Sequence, residues 1–164
     1  MDYEKGRVLI LENDVAAAGR IRAIVEHLGP KAQCALQPEA FFEVVSKWRP
    51  SHIVVNLDIP EQDGISILQE LGERECHARI AISCRLDNRI LNAAIRTASE
   101  HGLCVTYFMQ KPVRMRSMRN FLEAERCLLP PKTASILPDR IQAIADTTSK
   151  DILEAIEGNQ IHLA

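Results

Sequence analysis

Short apolar runs alternate along the first 128 residues of the chain with longer segments of helical periodicity. The runs are RVLIL (7–11), KAQCAL (31–36), SHIVVNL (51–57), RIAIS (79–83) and LCVTYF (103–108). Short runs of this kind are typical of parallel strands that are covered on both faces. The pattern therefore predicts five buried strands.

The segments between these runs predict five helices. They cover residues 15–28, 38–48, 65–73 and 87–101, with a fifth from 112 to about 128. Gly29 and Gly102 supply helix stops, while Pro38 can open the second helix and Asp87 can cap the fourth. Parallel neighbours need crossover connections, so the alternation predicts an α/β fold with a doubly wound five-stranded parallel sheet.

The chain beyond the last strand and helix has a different character. Pro130, Pro131 and Pro138 punctuate it, so we expect a compact domain over residues 1–129 and a linker over 130–148. Residues 149–164 then predict a C-terminal helix. Its short apolar face could not be buried by a lone helix.

Charge and hydropathy narrow the class of partner. Hydrophobic residues make up 46% of the chain and the formal net charge is −2, which gives no electrostatic reason to expect nucleic acid or an anionic membrane. Arg114, Arg116 and Arg119 are interpreted as a solvated helix face because no aromatic residues interleave with them. No apolar stretch has the length of a membrane span, and the acidic N-terminus does not resemble a signal peptide, so we expect a cytoplasmic protein.

The five cysteines are widely spaced and include no CxxC pair, so neither a zinc site nor a disulfide framework is expected. Buried thiols in a reducing compartment are the simpler interpretation. The five histidines are also dispersed, without the short spacing of metal ligands. They are interpreted as surface or core residues.

Polar residues follow four of the predicted strands. Glu12, Asn13 and Asp14 follow the first strand, residues 56–60 end the third, and Ser83 and Lys111 end the fourth and fifth. Open parallel sheets bind ligands in the crevice beyond the carboxyl ends of their strands. These residues are therefore the candidate site.

This arrangement resembles the response-regulator receiver domain over about residues 7 to 128. The resemblance implies a flavodoxin-like sheet of order 2-1-3-4-5. In that family, the first-strand acids and a third-strand aspartate hold Mg²⁺, and the aspartate accepts a phosphoryl group. A hydroxyl and a lysine, matched here by Ser83 and Lys111, contact the phosphoryl oxygens, and Phe108 matches an aromatic switch position.

Two positions depart from the family pattern. Asn56 stands four residues before Pro60, where the family has its phosphoacceptor, and Asn13 replaces the second acid, which leaves Glu12. An amide oxygen is a poor nucleophile, and Mg²⁺ prefers anionic oxygen ligands. We therefore expect a degenerate pocket that is not phosphorylated, with no metal, no cofactor and no catalytic residue.

The retained residues allow more than one interpretation. Lys111 can donate to Glu12 or to the side-chain oxygen of Asn56, and would then no longer face a cluster of carboxylates. Ser83 and Phe108 are either a strand-end hydroxyl and a core aromatic or the remnant of a switch. The main alternative is a working receiver with Asp58 as the phosphoacceptor. A flavodoxin-like nucleotide or flavin binder is disfavoured because no glycine-rich loop follows the first strand.

Two longer stretches refine the resemblance. Residues 82–103 and 111–124 look like the receiver subtype found before EAL-type cyclic di-GMP phosphodiesterase domains, and residues 151–164 resemble the opening of such a domain. No EAL tripeptide occurs in the chain, so hydrolysis by this chain itself is not expected. The implied partner is an EAL domain of the same polypeptide or another protein. Homodimerisation through the fourth helix, fifth strand and fifth helix is also expected.

Overall fold

The computed structural model describes residues 6–58, 64–85, 88–124 and 127. Five strands and five helices alternate through them. In chain order they are β1 (Arg7–Leu11), α1 (Val15–Leu28), β2 (Lys31–Ala35), α2 (Pro38–Trp48), β3 (His52–Asn56), α3 (Gly64–Glu73), β4 (Arg79–Cys84), α4 (Asn88–Glu100), β5 (Cys104–Gln110) and α5 (Met115–Glu123).

The strands form one sheet of order β2-β1-β3-β4-β5, and every neighbouring pair is parallel. The predicted α/β class, the doubly wound five-stranded sheet and its order are thus confirmed. Because all strands run the same way, their carboxyl ends meet at one edge. The residues that follow β1, β3, β4 and β5 therefore lie near one another.

Alternate residues of the strands contribute their side chains to two hydrophobic cores, one on each face of the sheet. On one face, Leu9, Ile53 and Ile80 pack with residues of α2, α3 and α4, and all three are fully buried. On the other face, Val8 and Val54 pack with residues of α1 and α5. Covering both faces explains why the central strands are apolar throughout.

The ends of α1 and α2 follow from local chemistry, and the sequence predicts two of them, the Gly29 stop and the Pro38 start. Asp14 precedes α1, and its carboxylate accepts hydrogen bonds from the backbone N–H groups of Ala16 and Ala17. Gly29 ends the same helix with a φ of 123°, a conformation that residues with a Cβ rarely adopt. Pro38 occupies the first turn of α2, where its missing N–H is not needed.

The fifth helix is shorter than predicted. It ends at Glu123 rather than near residue 128, because Ala124 turns into an extended conformation while its N–H bonds to the Phe121 carbonyl. The predicted Asp87 cap, the loop over 59–63, the linker over 130–148 and the helix over 149–164 lie outside the described residues.

The expectation that all cysteines are free thiols is wrong. Cys104 and Cys127 form a disulfide, while Cys34, Cys76 and Cys84 are free. The helix α5 returns the chain toward the start of β5, and this brings together two residues that are 23 positions apart. Sequence spacing alone carries no signal for such a pair. None of the helices within the described residues is long and apolar enough to cross a membrane.

Candidate functional site

A polar pocket lies at the carboxyl edge of the sheet and is formed by Glu12, Asn13, Asn56, Asp58 and Lys111. The strand ends dictate this convergence: Glu12 and Asn13 follow β1, Asn56 ends β3, and Lys111 directly follows β5. The backbone N–H of Glu12 donates to the Ala35 carbonyl at 3.1 Å, which anchors the first of these residues to the end of β2.

Asn56 is the buried centre of the polar pocket, with 1% of its surface exposed. Its Nδ2 donates to Glu12 Oε1 and to Asn13 Oδ1, both at 3.1 Å. Its Oδ1 accepts from the backbone N–H of Asp58 at 2.8 Å. Both amide hydrogens and the amide oxygen therefore have partners, and these partners fix which way the amide faces.

Glu12 connects the amide to the lysine. It is 3% exposed, and its Oε1 accepts from Asn56 and from the backbone N–H of Asp14. Its Oε2 lies 3.5 Å from Lys111 Nζ. The predicted Lys111–Glu12 contact is therefore present. The other acceptor considered for the lysine, the side-chain oxygen of Asn56, receives the Asp58 backbone N–H instead.

Asp58 gives Lys111 a second carboxylate neighbour that was not expected. It lies just after β3, yet its Oδ2 reaches to within 3.6 Å of Lys111 Nζ. The same oxygen accepts the backbone N–H of Arg85 at 3.1 Å. The lysine thus faces two carboxylates. The expectation that it would no longer face a cluster of them is wrong, because the chain bends after Leu57 and turns the Asp58 side chain back toward the polar pocket.

Ser83 and Phe108 lie beside the polar pocket. Ser83 pairs with Asn56 across the β3–β4 ladder, is 1% exposed, and its Oγ has no hydrogen-bond partner within the described part of the chain. Phe108 is 6% exposed and belongs to the core between the sheet and the helices α2, α3 and α4. The geometry fits the packing role for Phe108, and it leaves the Ser83 hydroxyl free to donate.

The third polar residue after β1 has a different task. Asp14 is exposed, and its carboxylate is occupied as the cap of α1. Its Oδ1 accepts both capping hydrogen bonds, so in this conformation the side chain serves α1 and does not take the place of the acid that Asn13 lacks. The one-residue offset seen in the sequence therefore separates a capping carboxylate from the polar pocket.

The polar pocket does not fit a divalent cation well. The Asn56 NH₂ group occupies the position between Glu12 Oε1 and Asn13 Oδ1, so hydrogens stand where a metal would need oxygen ligands. The Lys111 ammonium already lies near both carboxylates. Within the described ranges, no group of three or more His, Cys, Asp or Glu side chains could hold a metal ion.

Two known regulatory proteins are similar to this chain in sequence. No protein-family profile matches the chain. It is 22% identical to the transcriptional regulatory protein CrdR of Helicobacter pylori, over 90% of this chain and 79% of that protein. It is also 22% identical to the photosynthetic apparatus regulatory protein RegA of Rhodobacter capsulatus, over 94% of this chain and 85% of that protein.

A solved structure shows the same architecture. The CheY-like response-regulator receiver domain from Methylobacillus flagellatus superimposes with a TM-score of 0.62 at 19% identity, covering 73% of this chain and 97% of that one. The chain has the fold of a response-regulator receiver domain. In this receiver fold the polar pocket lies at the crevice where parallel α/β sheets bind ligands.

The sequence analysis did not predict two features of the polar pocket. One is the backbone N–H of Arg85, which positions the Asp58 carboxylate and which no side-chain pattern could indicate. The other is the proximity of Asp58 to Lys111, which depends on the path of the chain after β3. The acidic character of residue 58 was the available signal, but its distance from the lysine required the fold.

Proposed function

We propose that this chain is a receiver-type signalling domain that acts through protein contacts, with no phosphoryl transfer to position 56. The observation that carries the proposal is the hydrogen bonding of Asn56. Its amide is saturated by Glu12, Asn13 and the Asp58 backbone. A pocket completed by its own side chains needs neither phosphate nor metal to hold one conformation.

The chemistry of the amide supports the same proposal. A receiver accepts a phosphoryl group on a carboxylate oxygen, whereas a neutral amide oxygen is a poor nucleophile that forms no ordinary acyl phosphate. Asn13 weakens the site further, since it removes an anionic ligand that would help to hold Mg²⁺. Two neutral side chains in one pocket lower both the nucleophilicity and the metal affinity.

The lysine takes a structural part in this proposal. Lys111 Nζ lies 3.5 Å from Glu12 and 3.6 Å from Asp58, with 23% of its side chain exposed. These distances are longer than a direct hydrogen bond but close enough for a strong Coulomb attraction in a half-buried site. The ammonium offsets one of the two negative charges and attracts both carboxylates, and so joins the ends of β1, β3 and β5.

The wider setting is proposed from sequence resemblance. The subtype resemblance of residues 82–103 and 111–124, and that of residues 151–164 to the opening of an EAL domain, favour a role in regulating cyclic di-GMP turnover. In this proposal, the domain over 1–129 passes a signal through the linker over 130–148 to a C-terminal partner domain. The signal is a contact made or lost by the receiver surface.

A second candidate function is phosphorylation at Asp58. The contact that favours it is the one between Asp58 Oδ2 and Lys111 Nζ, together with the Arg85 N–H that donates to the same oxygen. With a quarter of its side chain exposed, Asp58 is also open to a small phosphodonor. The position of Asp58 outside β3 stands against it, because the residue at the strand end is Asn56.

Incubation with acetyl phosphate and Mg²⁺, followed by intact-mass measurement, tests the two functions. We expect no added phosphate. The control is Asp58→Ala, which removes the competing carboxylate but leaves the Asn56 amide in place. A phosphate adduct on the unaltered chain that disappears in Asp58→Ala would replace our proposal with the second candidate.

Substitution at position 56 extends the same test. Asn56→Asp places a carboxylate oxygen about 3.1 Å from Glu12 Oε1, where the amide now donates. We expect this change alone to restore little phosphorylation, because Asn13 still weakens the metal site. Asn13→Asp combined with Asn56→Asp should restore more phosphorylation. Equal phosphorylation of the single and double variants would contradict the assigned role of Asn13.

A further inference from the structure

A second chemically competent site lies away from the polar pocket, at the opposite end of β5. Cys104 is the first residue of that strand, and it is joined by a disulfide to Cys127, which follows α5. Strand β5 is the edge strand of the sheet. The disulfide therefore closes a loop that contains the whole of β5 and α5.

The two cysteines of the disulfide differ in exposure. Cys127 is exposed, whereas Cys104 is half-buried. An external thiolate attacks a disulfide at the sulfur that it can reach. Cys127, the exposed residue of the pair, is thus the expected point of attack, and the Cys104 sulfur is the leaving group.

The three free cysteines are less suited to this chemistry. Cys84 is buried at 8% exposure. Burial raises the pKa of the Cys34 thiol and that of the Cys76 thiol, which lowers the fraction of reactive thiolate at neutral pH. The Cys34 sulfur also lies 3.4 Å from the Ala18 carbonyl, to which it donates. An external thiol can open the Cys104–Cys127 disulfide, and once the pair is reduced, a disulfide reagent should react first with the exposed Cys127.

The helix inside the closed loop does not depend on the disulfide for its position. Met118, Phe121 and Leu122 are buried in the core between α1, α5 and the sheet. The Asn120 amide donates to Tyr107 Oη at 3.4 Å, which adds a second connection between α5 and β5. Opening the disulfide should therefore release the segment after α5 while the helix stays packed.

We propose that Cys104 and Cys127 form a reversible thiol–disulfide site that ties Cys127, beyond the end of α5, to the start of β5, and that it exchanges with low-molecular-weight thiols of the glutathione class. Disulfides in reducing compartments are usually redox-sensing or catalytic rather than permanent. The site lies outside the polar pocket, so this proposal stands or falls independently of phosphorylation.

The exchange balances in two steps. A glutathione thiolate attacks Cys127 Sγ, the Sγ–Sγ bond breaks, and Cys104 leaves as a thiolate that takes up a proton. A second glutathione thiolate attacks the glutathione sulfur of the mixed disulfide, and Cys127 leaves and is protonated. The protein disulfide has gained two electrons and two protons, and two glutathiones have become one glutathione disulfide.

The test equilibrates the full chain in glutathione buffers of increasing ratio of disulfide to thiol, followed by alkylation and peptide mass analysis. We expect Cys104 and Cys127 to interconvert together and reversibly, while Cys34, Cys76 and Cys84 stay alkylatable after denaturation at every ratio. Oxidation of Cys34 or Cys76 before the pair, or a pair that stays reduced throughout, would overturn the proposal.

Hydrogen exchange supplies the structural readout. Reduction should speed amide exchange at Ala124 and Cys127 by about tenfold or more, since the segment after α5 loses its covalent tie. Exchange of β1 and of Phe121 should not change. Cys127→Ser should match the reduced protein, and the control Cys34→Ser should still respond to reduction. Equal exchange of the oxidised and reduced forms at Ala124 and Cys127 would contradict the assigned role.

Discussion

The amide at position 56 makes three hydrogen bonds that a carboxylate could not make together. Two of its partners, Glu12 Oε1 and Asn13 Oδ1, are acceptors, so they require a donor at this point of the polar pocket. A carboxylate in the same place would put acceptor atoms together and would need a proton or a cation to separate them. At the residue scale, the amide is therefore complementary to the rest of the pocket as well as chemically inert.

A buried histidine at the amino end of the central strand β3 makes the stability of the fold depend on pH. His52 is 5% exposed, its Nδ1 pairs with Ser51 Oγ at 2.9 Å, and its ring packs edge-on against Phe121. Burial, and secondarily the positive charge of Arg79, lowers the pKa of His52 from 6.5 to about 4. The folded protein thus holds the neutral ring where the unfolded chain would protonate.

The sign of the pH effect follows. The contribution of His52 is fully present above pH 6.5 and is lost as the pH falls from there to about 4, since only the unfolded state takes up the proton in that window. The loss should reach up to about 3 kcal/mol. Urea denaturation of the wild-type chain and of His52→Gln between pH 4 and 7 measures it. The variant should lose most of the slope, whereas the exposed His27→Gln should keep it, and equal slopes for His52→Gln and wild type would refute the assignment.

At the scale of elements, the packing of α3 on α4 depends on one glycine. A Cβ added at Gly72 would overlap the Cβ and ring of His101, at the end of α4. Gly72→Ala should therefore destabilise the fold by about 1 to 3 kcal/mol, because the overlap outweighs the gain in helix propensity. Chemical denaturation measures the change.

A matched control exists within the same protein. Gly19 lies in α1, and a Cβ added there would meet nothing within 4 Å. Gly19→Ala should stabilise the fold by about 0.5 to 1 kcal/mol, since only the helix propensity changes. If the two substitutions have the same effect, the close approach of α3 and α4 at Gly72 is not the constraint that we describe.

Elements were more predictable than the contacts between them. Apolar runs and boundary residues such as Gly29 and Pro38 are local signals, so strand and helix bounds could be predicted to within about two residues at most ends. The predicted end of α5 was wrong because the sequence offers no glycine or proline stop between Glu123 and Pro130. Loops over 59–63 and the tail beyond 127 lie outside the described residues and stay predictions.

At the scale of the whole molecule, the order of the parallel strands brings polar residues that are far apart in the sequence into one pocket. Parallel topology alone brings Glu12, Asn56 and Lys111 to one edge, and that convergence could be predicted. The Asp58–Lys111 contact and the Cys104–Cys127 disulfide could not. Each depends on how a short connection bends after its element, which residue types do not determine.

Self-association is the last property that belongs to the whole molecule, and we propose that it uses the surface of α4, β5 and α5. β5 lies at one edge of the sheet, and α4 and α5 pack on the two opposite faces of the sheet. Among the described residues of the two helices, exposed arginines outnumber exposed glutamates even without Arg89: Arg96, Arg116 and Arg119 against Glu100 and Glu123. A two-fold axis brings the same surface of each copy together, so its positive charges oppose one another.

The expected dimer is therefore weak at low ionic strength and strengthens as salt screens the repulsion, the reverse of an interface held by ion pairs. Sedimentation velocity over a range of protein and salt concentrations measures this dependence. Arg119→Glu should tighten the dimer at low salt, because it removes a positive charge and adds a negative one to each copy. Lys31→Glu, on the strand β2 at the opposite edge of the sheet, is the matched charge control and should leave the dimer unchanged. A chain that stays monomeric at every salt concentration, or a dimer that weakens with salt, would show that this surface does not associate in the way the charge distribution requires.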